Sequence, residues 1–256
     1  MRLQDKVAII TGSGRGIGKA IALAFAREGA SLVLASRTQS ELAKVNSQVQ
    51  DLGVPSLVVP TDVEDPRQIY TLVEQSLKSY ERIDILVNNA GIAFSSSVLE
   101  TQLKHWDRLM NTNLRSVFVA CQAVLPHMIN QKQGKIINIA AGSGFVPSLN
   151  FAAYSASKAA VIMFTECMAL EMKPFNIDVN ALSAGRTHTQ MADDLIAEKG
   201  LTDAKPELMM MPSDIAPVAV FLASEESRSV TGANVIARKN FKPGFYGPGN
   251  LPPSAY

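Results

Sequence analysis

The sequence predicts an α/β fold, a doubly wound parallel sheet of about seven strands in a single domain. Short, continuously apolar runs alternate with amphipathic helical patterns along most of the 256 residues. Runs without polar alternation are how strands buried on both faces read, and such burial belongs to parallel sheets. Right-handed crossovers between such strands then place helices on both faces. A cluster of glycines directly after the first run adds a strand-to-helix turn with an open backbone.

The first strand is Val7, Ala8, Ile9 and Ile10, followed by glycines at 12, 14, 16 and 18. Ile17, Ala20, Ile21, Ala24 and Phe25 then share one helical face. Residues 31–35 form the second strand, and Leu42, Val45, Val49 and Leu52 line the next helix, which Gly53 ends. After a third strand at 56–59, Ile69, Leu72, Val73, Leu77 and Tyr80 mark another helix. The fourth strand, 83–87, runs into Asn88-Asn89-Ala90-Gly91. A long helical pattern covers about 103–129, and Pro126 is expected to kink or divide it. Strands at 135–139, 177–181 and 233–237 alternate with helices at 153–172 and 214–223.

Two regions leave this rhythm. An insertion at 185–212 contains Met209-Met210-Met211 and departs from a carboxyl strand end, where ligands of such sheets bind. It reads equally as a sulfur-rich lid over an apolar substrate or as a helical excursion packing its own methionines. The main domain is expected to span 1–237, leaving a tail at 238–256. Its prolines and glycines exclude regular structure, while Phe241, Phe245, Tyr246 and Tyr256 point to docking on a neighbouring subunit.

A net charge of +1 offers nothing to draw nucleic acid or an anionic membrane surface. No segment has the length of a membrane span, and the N-terminus lacks a signal-peptide apolar stretch, so the expected location is cytoplasmic. Cys121 and Cys167 are expected to be buried free thiols. His105, His127 and His188 lack ligand spacing, so no metal is expected.

The chemistry starts at the glycine loop. The strict G-x-G-x-x-G fingerprint is missing, and the chain carries T-G-x-x-x-G-x-G from Thr11 to Gly18. Glycines alone also make a plain tight turn, but their place after the first strand favours a nucleotide. A ribose 2′-hydroxyl is usually held by a carboxylate about twenty residues past the glycines. Ser36 and Arg37 stand there, with no carboxylate until Glu41. Arg37, together with Arg15 in the glycine loop, would pair with a 2′-phosphate, which selects NADP over NAD. Tyr154 and Lys158, four apart on a helix, share a face. An ammonium there would bring the phenol, with its pKa near 10, toward the working range of an acid–base group.

Thr11-Gly12-x-x-x-Gly16-x-Gly18, Asn88-Asn89-Ala90-Gly91 and Tyr154-x-x-x-Lys158, in this order, resemble the short-chain dehydrogenase/reductases. The resemblance runs over about 5–237 and is strongest to the 3-oxoacyl-carrier-protein-reductase-like branch. It implies a Rossmann-type domain, a nicotinamide cofactor, a small carbonyl or alcohol substrate, and a homodimer or homotetramer. It implies that Gly12, Ser13, Arg15, Gly16, Ile17 and Gly18 line the cofactor's phosphates. Asp62 and Val63 match the adenine contact, and Asn89, Ala90 and Gly91 the stretch beside the ribose. Asn113 matches the asparagine of a proton-relay water, and Tyr154 the acid–base. Lys158 matches the ribose-binding lysine that lowers the tyrosine's pKa, and Thr189 the residue touching the carboxamide.

The chain departs from the family in three places. Members usually carry a serine thirteen residues before the tyrosine, where this sequence has Ala141. The usual Pro-Gly after the sixth strand is Ala184-Gly185, and the usual Asp-Gly-Gly after the last is Arg238-Lys239-Asn240. Losing one hydrogen bond to a developing oxyanion costs on the order of 100- to 1000-fold in rate. Ser143, two residues on, would return to the same face if the backbone stays extended. The expected function is an NADP-dependent hydride transfer between nicotinamide and a ketone/secondary-alcohol pair. The alternative is a catalytically weakened NADP-binding protein that acts by interaction, and a serine hydrolase is a distant third because Gly142-Ser143-Gly144 lacks the nucleophile-elbow pattern.

Overall fold

In the computed structural model, which describes residues 1–199 and 209–239, the apolar runs form one seven-stranded parallel sheet. The strands are β1 (Val7–Thr11), β2 (Ser31–Ser36), β3 (Ser56–Pro60), β4 (Ile85–Asn88), β5 (Gly134–Ala141), β6 (Ile177–Ala184) and β7 (Asn234–Ala237), ordered β3-β2-β1-β4-β5-β6-β7 in space. The helices are α1 (Gly16–Arg27), α2 (Gln39–Gln50), α3 (Pro66–Tyr80), α4 (Leu103–Met110), α5 (Ser116–Gln131), α6 (Ala152–Met172), α7 (Gln190–Lys199) and α8 (Pro212–Ala223).

Side chains of a strand alternate between faces, and here both faces are dry. Ala8 and Ile10 of β1 pack with Phe25 of α1, Leu42 of α2 and Ile215 of α8, whereas Ile9 packs with Ile69 of α3, Val124 of α5 and Val161 of α6. Each fully buried large side chain contributes roughly 1.5–3 kcal/mol, which explains why no polar alternation is tolerated in these runs. The direction of strand ordering reverses at β1, which pairs with β2 on one side and β4 on the other. That reversal opens a crevice at the carboxyl ends of β1 and β4, the place where such sheets bind ligands.

Three local expectations are corrected. β4 begins at Ile85 rather than 83, because the Asp84 carboxylate accepts from the Val7 amide at 2.9 Å and pairs with Arg82 at 2.6 Å. The pattern at 103–129 is divided at a π turn, Asn111–Arg115, and Pro126 sits inside α5 without ending it. In that turn the Ser116 amide donates to Asn111 O, one residue further back than in an α-helix, and the extra residue re-aims Asn113. Cys121 is buried as expected, but Cys167 falls on the outer face of α6 and is exposed.

At the base of the insertion, the Met210 amide donates to Arg186 O at 2.7 Å and the His188 amide to Met210 O at 2.8 Å. Met209 and Met210 are buried, Met210 in the α1–α8 layer, and Met211 is exposed. In the described part of the insertion Met209 and Met210 therefore pack inward, whereas Met211 faces solvent. Residues 200–208, and the tail from 240 with its four aromatics, lie outside the described residues. Among the described residues, no helix is long and apolar enough to cross a membrane and no His/Cys/Asp/Glu group could hold a metal.

Candidate active site

The glycine loop is held shut by its neighbour strand. Asn89 Nδ2 donates to Thr11 O at 2.9 Å and to Gly12 O at 3.1 Å, while the Asn89 and Ala90 amides donate to Thr11 Oγ1 at 3.0 and 3.1 Å. Asn89 thereby supports the loop, and Gly12 takes the left-handed φ of +64° that glycine alone adopts freely. A side chain at Gly18 would collide with the Gly12 carbonyl oxygen and Asn89 Nδ2, so the first turn of α1 can lie directly on the loop. No side chain caps α1 and no acidic residue stands in its first turn, which leaves the positive end of the helix facing the crevice. This cradle fits a dinucleotide's pyrophosphate. Ser13 is fully buried, with its amide and hydroxyl both donated to Ala35 O, so its side chain braces the loop against β2. Ile17 is half-buried and packs on the α1–α8 core layer.

At the end of β2, Ser36 Oγ is buried without a hydrogen-bond partner among the described residues. Arg15 and Arg37 are both exposed. Arg15 Nη1 lies 3.8 Å from Glu41 Oε1, a pair that sequence spacing did not reveal because it depends on where α2 docks. Asp62 Oδ1 accepts from the Glu64 amide at 3.0 Å, and the Asp62 amide donates to Gln68 Oε1 at 2.8 Å. The cap of α3 is Asp65, which leaves Asp62 and Val63 half-buried at the carboxyl end of β3.

The π turn, β4 and α6 bring the three catalytic candidates together. Asn113 is buried; its Nδ2 donates to Ile92 O at 2.9 Å and to Ser157 Oγ at 3.1 Å, and its Oδ1 accepts from the Ile92 amide at 2.8 Å. Ser157 Oγ in turn donates to Tyr154 O at 2.7 Å. Lys158 Nζ donates to Ile139 O at 2.8 Å and lies 5.9 Å from the Tyr154 ring centroid. A Cβ on Gly91 would stand 3.2 Å from Asn113 Oδ1 and 3.6 Å from Lys158 Nζ, so the Asn89-Ala90-Gly91 backbone borders both. Deeper in, Asn88 Nδ2 donates to Asn138 Oδ1 and Asn138 Nδ2 to Thr165 Oγ1, each at 2.9 Å, tying β4 and β5 to α6.

Burial dominates the titration of the pair. It pushes the Tyr154 phenol up to about 12 and Lys158 down to about 8. The expected lowering of the phenol by the ammonium is therefore not realised in the chain by itself. Nζ is turned onto the Ile139 carbonyl, and a charge near 6 Å does not offset desolvation. The Tyr154 hydroxyl makes no hydrogen bond among the described residues, and the Phe151 ring meets the tyrosine edge-on at 6.1 Å.

Ser143 leaves the strand that carries Ala141. Ala141 is the last extended residue of β5, and Gly142–Gly144 is a turn of 3-10 helix. The alternation that would return Ser143 to the face of Ala141 stops at the strand end. Ser143 Oγ is buried without a partner among the described residues, beside a cavity of about 490 Å³ lined also by Phe145, Val146, Ser155 and Ala159 but not by Tyr154. Thr189 Cγ2 packs 3.3 Å from the Cβ position of Gly16, which brings the start of the insertion onto the glycine loop.

Residues 6–200 match the family model described as short chain dehydrogenase. A 3-oxoacyl-[acyl-carrier-protein] reductase of Thermotoga maritima is 39% identical over 238 residues, covering 91% of this chain and 96% of that one. Among solved structures, one provisionally assigned as an NAD(P)-dependent gluconate 5-dehydrogenase from Beutenbergia cavernae, with NADP bound at low occupancy, superposes with a TM-score of 0.86 at 32% identity, covering 92% of this chain and 96% of its own. An NAD+-bound xylitol dehydrogenase has the same TM-score at 28% identity, covering 94% and 100%.

Proposed function

The chain belongs to the short-chain dehydrogenase family, oxidoreductases that use a nicotinamide cofactor, and on that premise we propose an NADP-dependent reductase or dehydrogenase acting on a ketone/secondary-alcohol pair. The carrying observation is the convergence of Asn113, Tyr154 and Lys158 beside Gly91, one strand away from the glycine loop. When bound, the nicotinamide supplies or accepts the hydride. The chain's own part is proton chemistry and positioning. Tyr154 Oη, without a hydrogen-bond partner among the described residues, gives its proton to the carbonyl oxygen in reduction and takes it back in oxidation. Lys158 is poised between Ile139 O and the tyrosine, where it can hold a ribose hydroxyl and stabilise phenolate. Both Nδ2 protons of Asn113 are committed to Ile92 and Ser157, so a relay water would be held by backbone of the π turn rather than by this amide.

NADP rests on Arg15 and Arg37, and on the absence of any carboxylate at the end of β2. The described surface leaves Phe118, Met163 and Leu170 exposed on α5 and α6, which supports a homodimer or homotetramer. A cytoplasmic location agrees with the free thiols and the small net charge. Ala141, with Ser143 carried off by the 3-10 turn, favours a second possibility, a weakened protein that binds NADP and acts by interaction. Calorimetric titration with NADPH and NADH, followed by nicotinamide absorbance with a panel of ketones, tests both. NADPH binding with ketone-dependent oxidation supports the enzyme; binding without turnover on any carbonyl supports the alternative.

A further inference from the structure

Two side chains converge on Gly14 in the middle of the glycine loop. A Cβ built there would stand 2.9 Å from Ser36 Oγ and 3.0 Å from Glu41 Oε2. Gly14 is not in the left-handed region, so what it provides is room, and the room is taken by the Glu41 carboxylate. The other oxygen of that carboxylate, Oε1, lies 3.8 Å from Arg15 Nη1. Ser36 Oγ, on the same point, is buried without a partner among the described residues. Glu41 comes from the first turn of α2, where the helix end favours a negative side chain and holds it in place.

We propose that Glu41 is a specificity-determining residue that narrows the preference for NADP over NAD. The proposal rests on the dinucleotide site described above. At this corner Arg15 and Arg37 attract a 2′-phosphate, while Glu41 repels it and engages Arg15. A phosphorylated cofactor must therefore draw Arg15 away from Glu41. A 2′-hydroxyl meets no such opposition, because it can donate to a carboxylate. Glu41 thus does part of what a carboxylate at the end of β2 would do, from a different element and against the two arginines.

The test is equilibrium binding of NADPH and NADH to the full chain without carbonyl substrate, read by titration calorimetry for the parent, Glu41→Gln, Arg15→Gln and Arg15→Gln/Glu41→Gln. An exposed charge pair of this kind is worth a few-fold in affinity, so Glu41→Gln should tighten NADPH by about three- to tenfold. NADH should be unchanged or weaker, and the gain should fade in high salt. In the double variant the gain over Arg15→Gln alone should be smaller, because the competition for Arg15 is gone. An unchanged ratio of the two dissociation constants overturns the proposal. So does weaker NADPH binding in Glu41→Gln, which would make Glu41 a support for Arg15. A parent that binds NADH more tightly than NADPH overturns the NADP assignment alone, since the change in ratio still tests Glu41. Binding of neither dinucleotide overturns both.

Discussion

Asn113 Nδ2 donates to Ser157 Oγ at 3.1 Å, joining the π turn to the helix that carries Tyr154 and Lys158. Ser157 passes the connection on to the Tyr154 carbonyl. Ser157→Ala leaves one buried Asn113 proton without an acceptor, which costs about 1–3 kcal/mol of stability. The expected outcome is a lower unfolding midpoint and a turnover reduced by roughly tenfold, with NADPH affinity unchanged, because this contact orients the proton-transfer side of the site. A Ser157→Ala protein with full turnover would show that the π turn is positioned without it.

Lys158 carries a pH signature. Burial holds it near 8, against 10.5 for an unperturbed lysine. Between those values the unfolded chain keeps the proton that the folded chain has released, so this residue makes stability rise with pH. Below 8 both states are protonated and the full cost of burying the charge is present. The unfolding free energy of the parent minus that of Lys158→Met should therefore increase by about 2–3 kcal/mol between about pH 7 and about pH 10. Urea denaturation at the two pH values measures it. A pH-independent difference would mean that the ammonium is not desolvated.

The gap left at Ala141 predicts an improvable enzyme. A serine at the strand end would add a donor to the substrate oxygen as charge develops, so Ala141→Ser should raise turnover by roughly tenfold or more. Ser143→Ala should change turnover little, since the 3-10 turn carries that hydroxyl out of the strand alternation. A large loss in Ser143→Ala, with no gain in Ala141→Ser, would restore Ser143 as the substitute donor.

Gly18→Ala separates the loop's fold from its chemistry. The added methyl would meet Gly12 O and Asn89 Nδ2, both fixed by the β1–β4 straps, so neither can yield cheaply. A loss of about 1–3 kcal/mol in stability and a weakening of NADPH by at least tenfold are expected from lifting α1 off the loop. Urea denaturation and NADPH titration of the variant would show them. Unchanged binding would mean that the helix end takes no part.

The sheet was legible because parallel strands buried on both faces leave uninterrupted apolar runs, as at Val7–Thr11 and Ile177–Ala184. The glycine loop and the Tyr154–Lys158 spacing were legible for a similar reason, since both are local in sequence. What escaped depends on distant partners. Nothing local distinguishes the π turn at Asn113 from ordinary helix, because its side chain is fixed by Ile92, 21 residues away. The pairing of Arg15 with Glu41 depends on how α2 docks. The exposure of Cys167 depends on which face of α6 meets β5 and β6, a choice that a helix made mostly of apolar and small residues does not encode by periodicity. Ser157 carried a readable signal, standing three residues after Tyr154 and so close to the same helical face.

The central claim is that Tyr154 is the acid–base of a nicotinamide-dependent hydride transfer, and Tyr154→Phe tests it most directly. The measurement is ketone-dependent NADPH oxidation by parent and variant, alongside NADPH affinity of both. Turnover should fall by about 10²- to 10⁴-fold, the contribution of a positioned acid–base group, while the dissociation constant for NADPH stays within about threefold. A Tyr154→Phe protein that oxidises NADPH at the parent rate would contradict the account.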